Sequence, residues 1–363
     1  MIQTAEFTTT LLRWFSRFGR ELPWRNTRDP YAIWLSEIIL QQTQVKQGWS
    51  YWERFMRQWP TVEALAAATE DEVLRLWQGL GYYSRARNLH AAARQIVALG
   101  GFPQTYEGLK QLKGVGPYTA AAIGSIAFDL PVAVVDGNVF RVLARHYGIA
   151  TPINTTEGRH EFTALAQSLL PATSASAFNQ AMMDFGATQC TPQSPRCADC
   201  PLQETCIAFR EGRVGELPVK LKTLKVKERH LIYIYIRHNG QTAIRRRGSG
   251  DIWQGLWEPF LAADSQQQQP LQPPSDGTAV SSTCSEKTPP ITPPLKGGEL
   301  RIICLNLRHV LTHRIILADF YLWQPMERPT LPDDYIWIPE ADIDHYAIPR
   351  LIELLLQKLY ISE

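Results

Sequence analysis

The 363-residue chain has no run of about 18 uncharged apolar residues, so no membrane-spanning helix is expected. The segment Met1 to Phe15 lacks a basic stretch followed by an apolar core, so no secretory leader is expected and a cytoplasmic protein is anticipated. Glycine (23) and proline (25) are not in excess, which excludes collagen-like and wholly disordered chains. Charge of one sign is also scarce, with a formal net charge of only +2. Residues 1–228 carry 24 basic and 20 acidic side chains, and residues 229–363 carry 13 and 15. A mildly basic front part permits a nucleic-acid partner without demanding one. Cysteine is sparse but not scattered. Of six, Cys190, Cys197, Cys200 and Cys206 fall within 17 residues, while Cys284 and Cys304 stand alone. In a cytosolic chain such clustering points to metal rather than disulfides.

What is present divides into two domains. Residues 1–228 read as helical, with 3.6-residue spacing over Ala32–Gln47, Glu63–Gln78, Ala86–Leu99, Tyr118–Phe128, Val139–Tyr147 and Thr156–Leu170. Residues 229–363 read as α+β. His230–Arg237 predicts a strand, Asn239-Gly240 a tight hairpin turn and Thr242–Arg247 the return strand. Further strands are expected at Leu300–Leu307 and Arg314–Trp323, and a closing helix near Pro349–Leu359. Residues 264–299 hold Gln266–Gln269 and seven prolines, and predict a flexible Gln/Pro-rich insertion within the second domain.

Four features carry chemistry. The spacing C-x6-C-x2-C-x5-C lets four thiolates close a metal site, and zinc and a [4Fe–4S] cluster are both chemically open to it. Leu112-Lys113-Gly114-Val115-Gly116-Pro117-Tyr118 joins two helical segments through a turn with exposed backbone N–H groups, suited to phosphate. It resembles a helix-hairpin-helix motif, although a plain helical hairpin fits the residues as well. Asp136 follows the apolar run Val132–Val135 and predicts a helix N-cap, held ionised by the helix dipole. Glu37 has Ile33, Trp34, Leu40 and Gln41 as helical neighbours, so desolvation should raise its pKa. One raised and one ionised carboxylate suit the acid-assisted cleavage of a glycosidic bond.

In this order Trp34-Leu35-Ser36-Glu37, Gln41-Gln42-Thr43, Gly79-Leu80-Gly81-Tyr82-Tyr83-Ser84-Arg85, the hairpin, Asp136-Gly137-Asn138 and the four-cysteine loop resemble the adenine DNA glycosylases of the MutY type, within the endonuclease III superfamily. The resemblance covers nearly all of residues 6–228. It implies a [4Fe–4S] cluster on the four cysteines and removal of adenine mispaired with 8-oxoguanine or guanine in double-stranded DNA. It implies Glu37 as the acid that protonates N7 of a flipped adenine, and Asp136 as stabiliser of the oxocarbenium ion. Tyr118 and Asn138 would orient the carboxylates and the incoming water. Arg25, Gln42, Tyr82 and Gly114-Val115-Gly116 would contact DNA or the lesion, with Gln42 filling the gap and Tyr82 wedging the opposite strand. Bifunctional relatives carry a Schiff-base lysine where this chain has Tyr118, so a monofunctional glycosylase is expected. A monomer, with no membrane partner and associated with the nucleoid when on DNA, completes the expectation.

The second domain resembles the Nudix-like domain of the same family. After Gly255 only Glu258 stands where a working Nudix hydrolase needs several glutamates for divalent metal, so pyrophosphohydrolase activity is not expected. The lesion-reading loop is matched by Leu311-Thr312-His313, which keeps a hydroxyl but lacks an aromatic wedge. Two rival readings remain: an endonuclease III-like glycosylase and lyase, opposed by Tyr118, and a non-catalytic lesion-binding protein, opposed by the presence of both Glu37 and Asp136.

Overall fold

The computed structural model describes residues 2–221, 227–264 and 297–361. The chain divides into two compact units, Met1–Leu76 with Arg85–Lys222, and Trp77–Ser84 with Thr223–Glu363. Most of the predicted insertion, residues 265–296, lies outside the described residues, as does Cys284.

Helices fill the first unit. They are α1 (Ile2–Phe18), α2 (Pro30–Leu40), α3 (Val45–Gln58), α4 (Val62–Ala67), α5 (Glu70–Trp77), α6 (Ser84–Ala98), α7 (Tyr106–Lys110), α8 (Pro117–Phe128), α9 (Gly137–Tyr147), α10 (Thr156–Leu169), α11 (Ala175–Asp184) and α12 (Ile207–Arg210); only the ends Trp77 and Ser84 fall in the second unit. Two helices expected from periodicity each prove to be a pair. The span 32–47 breaks after Leu40, where Gln42 takes a left-handed φ of 57°. The Arg85 guanidinium donates to the carbonyls of Ile38 (3.1 Å), Ile39 (3.0 Å) and Gln41, satisfying the C-terminal end of α2 with a positive charge. The span 63–78 breaks before Thr69. There Glu72 N–H donates to Thr69 Oγ1 (3.3 Å) and Thr69 N–H donates to Glu72 Oε2 (2.7 Å), a reciprocal cap that starts α5.

Two helices are apolar nearly all round and run through the interior. Residues 31–39 of α2 and 119–126 of α8 are buried throughout. Ile33 of α2 packs with Ala121, Ala122 and Ile126 of α8, and these small residues let the helices approach closely. The main core joins Phe7, Leu11 and Trp14 of α1 to Val142 and Leu143 of α9, Phe162 of α10 and Phe178 of α11; Cys190, Cys200 and Cys206 pack at its edge.

The second unit is built on a mixed sheet. Its strands are β1 (Lys227–His238), β2 (Gln241–Arg246), β3 (Trp257–Glu258), β4 (Phe260–Asp264), β5 (Glu299–Val310), β6 (Arg314–Gln324) and β7 (Tyr335–Pro339), with α13 (Arg350–Ile361) closing the chain. The order is β3-β2-β1-β6-β5, with β4 also on β1 and β7 on β2; β1 and β6 run parallel. Along β1, Leu231, Tyr233 and Tyr235 face the core that α13 covers, while Ile232, Ile234 and Ile236 face a second apolar layer. Burial on both faces explains why β1 reads as an unbroken apolar run. Asn239 and Gly240 take φ of 51° and 70°, as a hairpin turn of this kind requires.

The predicted insertion is shorter than its composition suggests. Asp264 is the last residue of β4, buried, and its carboxylate accepts from Arg229 Nε at 2.9 Å; Glu299 opens β5. Asp264 is therefore held by a partner 35 positions upstream, which local composition does not reveal.

Candidate active site

A cavity of about 600 Å³ in the first unit brings together Glu37 of α2, Tyr118 of α8, and Asp136 and Asn138 at the start of α9. Glu37 is 9% exposed. The Tyr118 hydroxyl donates to Glu37 Oε2 at 2.7 Å, and Oε1 carries no hydrogen bond from the described residues. Burial pushes the Glu37 carboxyl up to about 7; the Tyr118 bond opposes this, the Asp136 charge adds to it, and Arg25 opposes it weakly. Glu37 is therefore a weak acid, poised near neutrality, with one oxygen anchored and the other free to deliver a proton. The Tyr118 phenol is held well above its ordinary range by burial and by the two nearby carboxylates, so it stays a neutral donor.

Asp136 is the N-cap of α9, as predicted. Its Oδ1 accepts from Val139 N–H at 2.8 Å and its Oδ2 from Asn138 Nδ2 at 2.7 Å. The helix terminus, expected to hold this carboxyl ionised, works against the cost of its burial. Burial pushes the pKa up, and the bonds from Val139 and Asn138, with the Arg141 charge, pull only part of the way back. Those donors all favour the charged form, whereas Glu37 has one, so the two carboxyls have unlike surroundings.

Sequence reasoning missed the groups behind these two. Arg141, one turn along α9, donates Nη2 to Asn138 Oδ1 (2.8 Å) and to the Gly186 carbonyl (2.7 Å), and Nε to the Cys190 carbonyl (2.7 Å). A chain of bonds thus runs from Asp136 through Asn138 and Arg141 to the backbone of the cysteine loop. Helical spacing of three from Asn138 was the available signal. Arg25, expected to contact DNA, is committed instead to Asp184, giving both carboxylate oxygens a bond of 2.7 Å. Arg20 adds Nε at 2.8 Å. Burial would raise Asp184, but the two guanidiniums hold its carboxyl below the ordinary range. Arg25 serves the cavity as a fixed positive wall.

The four thiols of Cys190, Cys197, Cys200 and Cys206 ring one small cavity with Arg145 and Arg196. Arg145 Nη1 donates to Cys190 Sγ at 3.4 Å and to the Thr191 carbonyl at 2.8 Å. Burial pushes the Cys200 thiol up to about 11, and raises Cys197 and Cys206 as well. A single zinc, with Zn–S bonds of about 2.3 Å, needs four sulfurs about 3.8 Å apart. Among the described residues no three or more His, Cys, Asp or Glu side chains converge to hold one ion. The four thiols remain a soft donor set, chemically open to zinc and to an iron–sulfur group.

In the hairpin motif Gly114 has φ 75° and a Cβ there would lie 2.7 Å from Asn88 Cβ, so glycine is required. Gly116 caps α8 and faces open space, whereas Val115 is buried and can offer a ligand only its backbone. Gln42 is exposed and Tyr82 is 43% exposed; both adopt left-handed φ, a strained backbone that holds a side chain outward. In the second unit Leu311, Thr312 and His313 form the turn between β5 and β6, closed by Leu311 N–H to the Arg314 carbonyl at 2.8 Å. Thr312 and His313 are exposed, and the Thr312 hydroxyl hydrogen-bonds that of Tyr82. Leu311, which stands at the start of the matched loop, packs partly against the sheet core. Glu258 is fully buried and accepts from Tyr233 Oη (2.8 Å), Arg245 Nε (3.0 Å) and Arg247, so it is spent on structure.

Comparison with known proteins agrees with this geometry. Residues 35–168 match the family described as HhH-GPD superfamily base excision DNA repair protein, and residues 232–358 match the NUDIX domain. The chain is 48% identical over 222 residues to the adenine DNA glycosylase of Mus musculus, covering 58% of this chain and 43% of that protein. It thus spans less than half the length of that relative. It is 35% identical over 254 residues to the adenine DNA glycosylase of Buchnera aphidicola subsp. Acyrthosiphon pisum, covering 69% of this chain and 73% of that protein. A solved thermostable thymine-DNA glycosylase superposes with a TM-score of 0.54 at 30% identity, over 58% of this chain and 98% of that one. With a helical unit that carries the hairpin and a cavity holding two unlike carboxyls, followed by a Nudix-type unit, the chain belongs to the adenine DNA glycosylase family.

Proposed function

We propose that this protein is a monofunctional adenine DNA glycosylase of base-excision repair, acting on adenine opposite 8-oxoguanine or guanine in duplex DNA. The observation that carries the reading is Glu37: buried, raised to about 7, anchored through Oε2 and unencumbered at Oε1. A flipped adenine in the cavity receives the Glu37 proton at N7. The C1′–N9 bond then breaks, its electron pair leaving with the base. Asp136 balances the positive sugar, and water adds at C1′, losing a proton to the Glu37 carboxylate that the first step left behind. Tyr118 positions the acid and Asn138 positions the counter-charge. Neither is an amine, so the abasic sugar is released without an imine. The hydroxyl of Thr312, exposed at a turn tip, supports reading of 8-oxoguanine.

A [4Fe–4S] cluster on Cys190, Cys197, Cys200 and Cys206 fits the thiol ring, and supplies a rigid, charged cross-link for the loop. In the proposed reaction it takes part in no step. The loaded protein is expected to hold four irons per chain and to absorb broadly in the visible. Cys200→Ala is expected to lose that absorbance; a colourless, active protein carrying zinc would overturn the assignment.

The test of activity uses duplexes holding adenine opposite 8-oxoguanine, guanine or thymine, with and without alkali after incubation. Breakage is expected only after alkali and only for the first two, and borohydride is expected to trap almost no protein on DNA. Efficient trapping and breakage without alkali would make the protein a lyase, with a lysine rather than water as nucleophile.

A further inference from the structure

The loop between α5 and α6 groups with the second unit, Trp77–Ser84 together with Thr223–Glu363, although the helices it joins lie almost wholly in the first. Its backbone is constrained. Gly79, Gly81 and Tyr82 take left-handed φ of 96°, 69° and 48°. A tyrosine disfavours that region, so its surroundings must impose it. Part of the constraint is internal. Leu80 N–H donates to the Trp77 carbonyl at 3.1 Å, and the Trp77 indole Nε1 donates to the Gly81 carbonyl at 3.0 Å. Two side-chain bonds then tie the loop to the far end of the sequence. The Tyr82 hydroxyl meets that of Thr312, and Gln78 Nε2 donates to Glu353 Oε1 of α13, 275 positions downstream.

The two ties differ in kind. Tyr82 and Thr312 are both exposed, so water and DNA compete for their hydroxyls. The acceptor of the Gln78 bond is charged, which strengthens it, and the Glu353 side chain is only 16% exposed. Arg350 Nη1 fixes its other oxygen, Oε2, at 2.5 Å. The first turn of α13, and Arg350 three residues earlier, account for an acidic residue at 353. They do not account for an amide at position 78 aimed at it. The core does not need the bond either, since α13 packs through Leu351, Ile352, Leu355, Leu356 and Leu359.

We propose that Glu353, held by Arg350, acts through Gln78 as a positioning residue. It fixes the loop so that Tyr82 is preset to wedge the strand opposite the flipped adenine. This rests on the reading that the chain acts on mispaired duplex DNA with Tyr82 as its wedge. A preset loop loses no further freedom on binding, so the mispair is held more tightly. The chemistry at C1′ is untouched, because neither Gln78 nor Glu353 lines the cavity that holds Glu37.

The full, metal-loaded chain is tested in two arms. Without DNA, hydrogen exchange is followed across residues 79–83. Gln78→Ala and Glu353→Ala are each expected to speed it by roughly tenfold, the effect of losing one charge-assisted hydrogen bond. With DNA, the fluorescence of 2-aminopurine placed beside 8-oxoguanine reports unstacking, opposite a non-hydrolysable adenine analogue. Both variants are expected to need roughly tenfold more protein than wild type for half the signal. Their affinity for a fully paired duplex should be unchanged, whereas a folding defect would weaken both. Gln78→Glu alone sets two carboxylates face to face and should be the weakest variant. Adding Glu353→Gln turns the bond round, with the amide on α13, and should restore both readouts. Wild-type exchange and probe signal in the alanine variants, or a double variant no better than Gln78→Glu, would overturn the positioning role. Faster exchange in the variants, with a wild type that neither moves the probe nor releases adenine, would instead overturn the mispair reading and the wedge with it.

Discussion

Glu37→Gln is expected to cut single-turnover adenine release by about 10²–10⁴-fold while leaving affinity for the mispaired duplex intact. General acid help from a placed carboxyl is typically of that size. The amide keeps the shape of the side chain and can still accept from Tyr118, but its N–H is no acid. The same assignment fixes the pH dependence. The protonated form is the active one, so release by the wild type should be greatest below about pH 7 and fall as pH rises through that value. Stability should move in the same direction. The folded state holds the Glu37 proton more tightly than the unfolded chain, so the carboxyl's contribution is fully present below about pH 4 and is lost as pH rises to about 7. At pH 8 the wild type buries a charge that the glutamine variant does not. The melting temperature of Glu37→Gln should accordingly exceed that of wild type at pH 8 by more than at pH 5. Wild-type release rates in the variant, or a pH profile flat between 6 and 8, would remove Glu37 from the acid role.

The acid was legible because its cause is local. Apolar residues at helical spacing around Glu37 predict burial, and burial raises a carboxyl. The N-cap role of Asp136 was legible for the same reason, from a carboxylate placed directly before a helix. What the sequence did not display are the bonds between distant segments. Tyr118 meets Glu37 across 81 positions, and Arg25 meets Asp184 across 159. Nothing in either local sequence marks Arg25 as a structural residue rather than a DNA contact. Arg141 lay in between: its spacing from Asn138 was visible, but its second and third acceptors, the carbonyls of Gly186 and Cys190, belong to a loop some 45 to 49 positions away.

The second unit shows the same division. Long strands with both faces buried, β1 and β6, stand out as apolar runs. The two residues of β3 and the five each of β4 and β7 are too short to carry a period of two, and they exist because β1 and β2 offer them edges. Leu311 illustrates a limit of resemblance. It occupies the place of a lesion-facing aromatic, yet a smaller apolar side chain gains more from the adjoining sheet core than from solvent. The exposed side chains of that turn are its neighbours, Thr312 and His313.

Asp136→Asn is expected to slow base release by about 10²–10³-fold, the usual effect of removing one fixed group that stabilises transition-state charge. Stability should change little, because asparagine caps a helix about as well as aspartate and can keep its oxygen on Val139 N–H. The loss arises on the other side of the carboxyl. There an NH₂ would face Asn138 Nδ2, donor against donor. Asn138 cannot turn its own oxygen toward it without giving Arg141 Nη2 an amide nitrogen in place of an acceptor. The variant thus removes the counter-charge and also loosens the bonds that aim it. A further consequence identifies the mechanism. The Asp136 charge is one of the causes that raise Glu37. Removing it should lower the Glu37 pKa, so the residual rate of the variant should decline at a lower pH than that of wild type. A residual rate within tenfold of wild type, with its pH midpoint unmoved, would show that the two carboxyls neither share the sugar's charge nor sense each other.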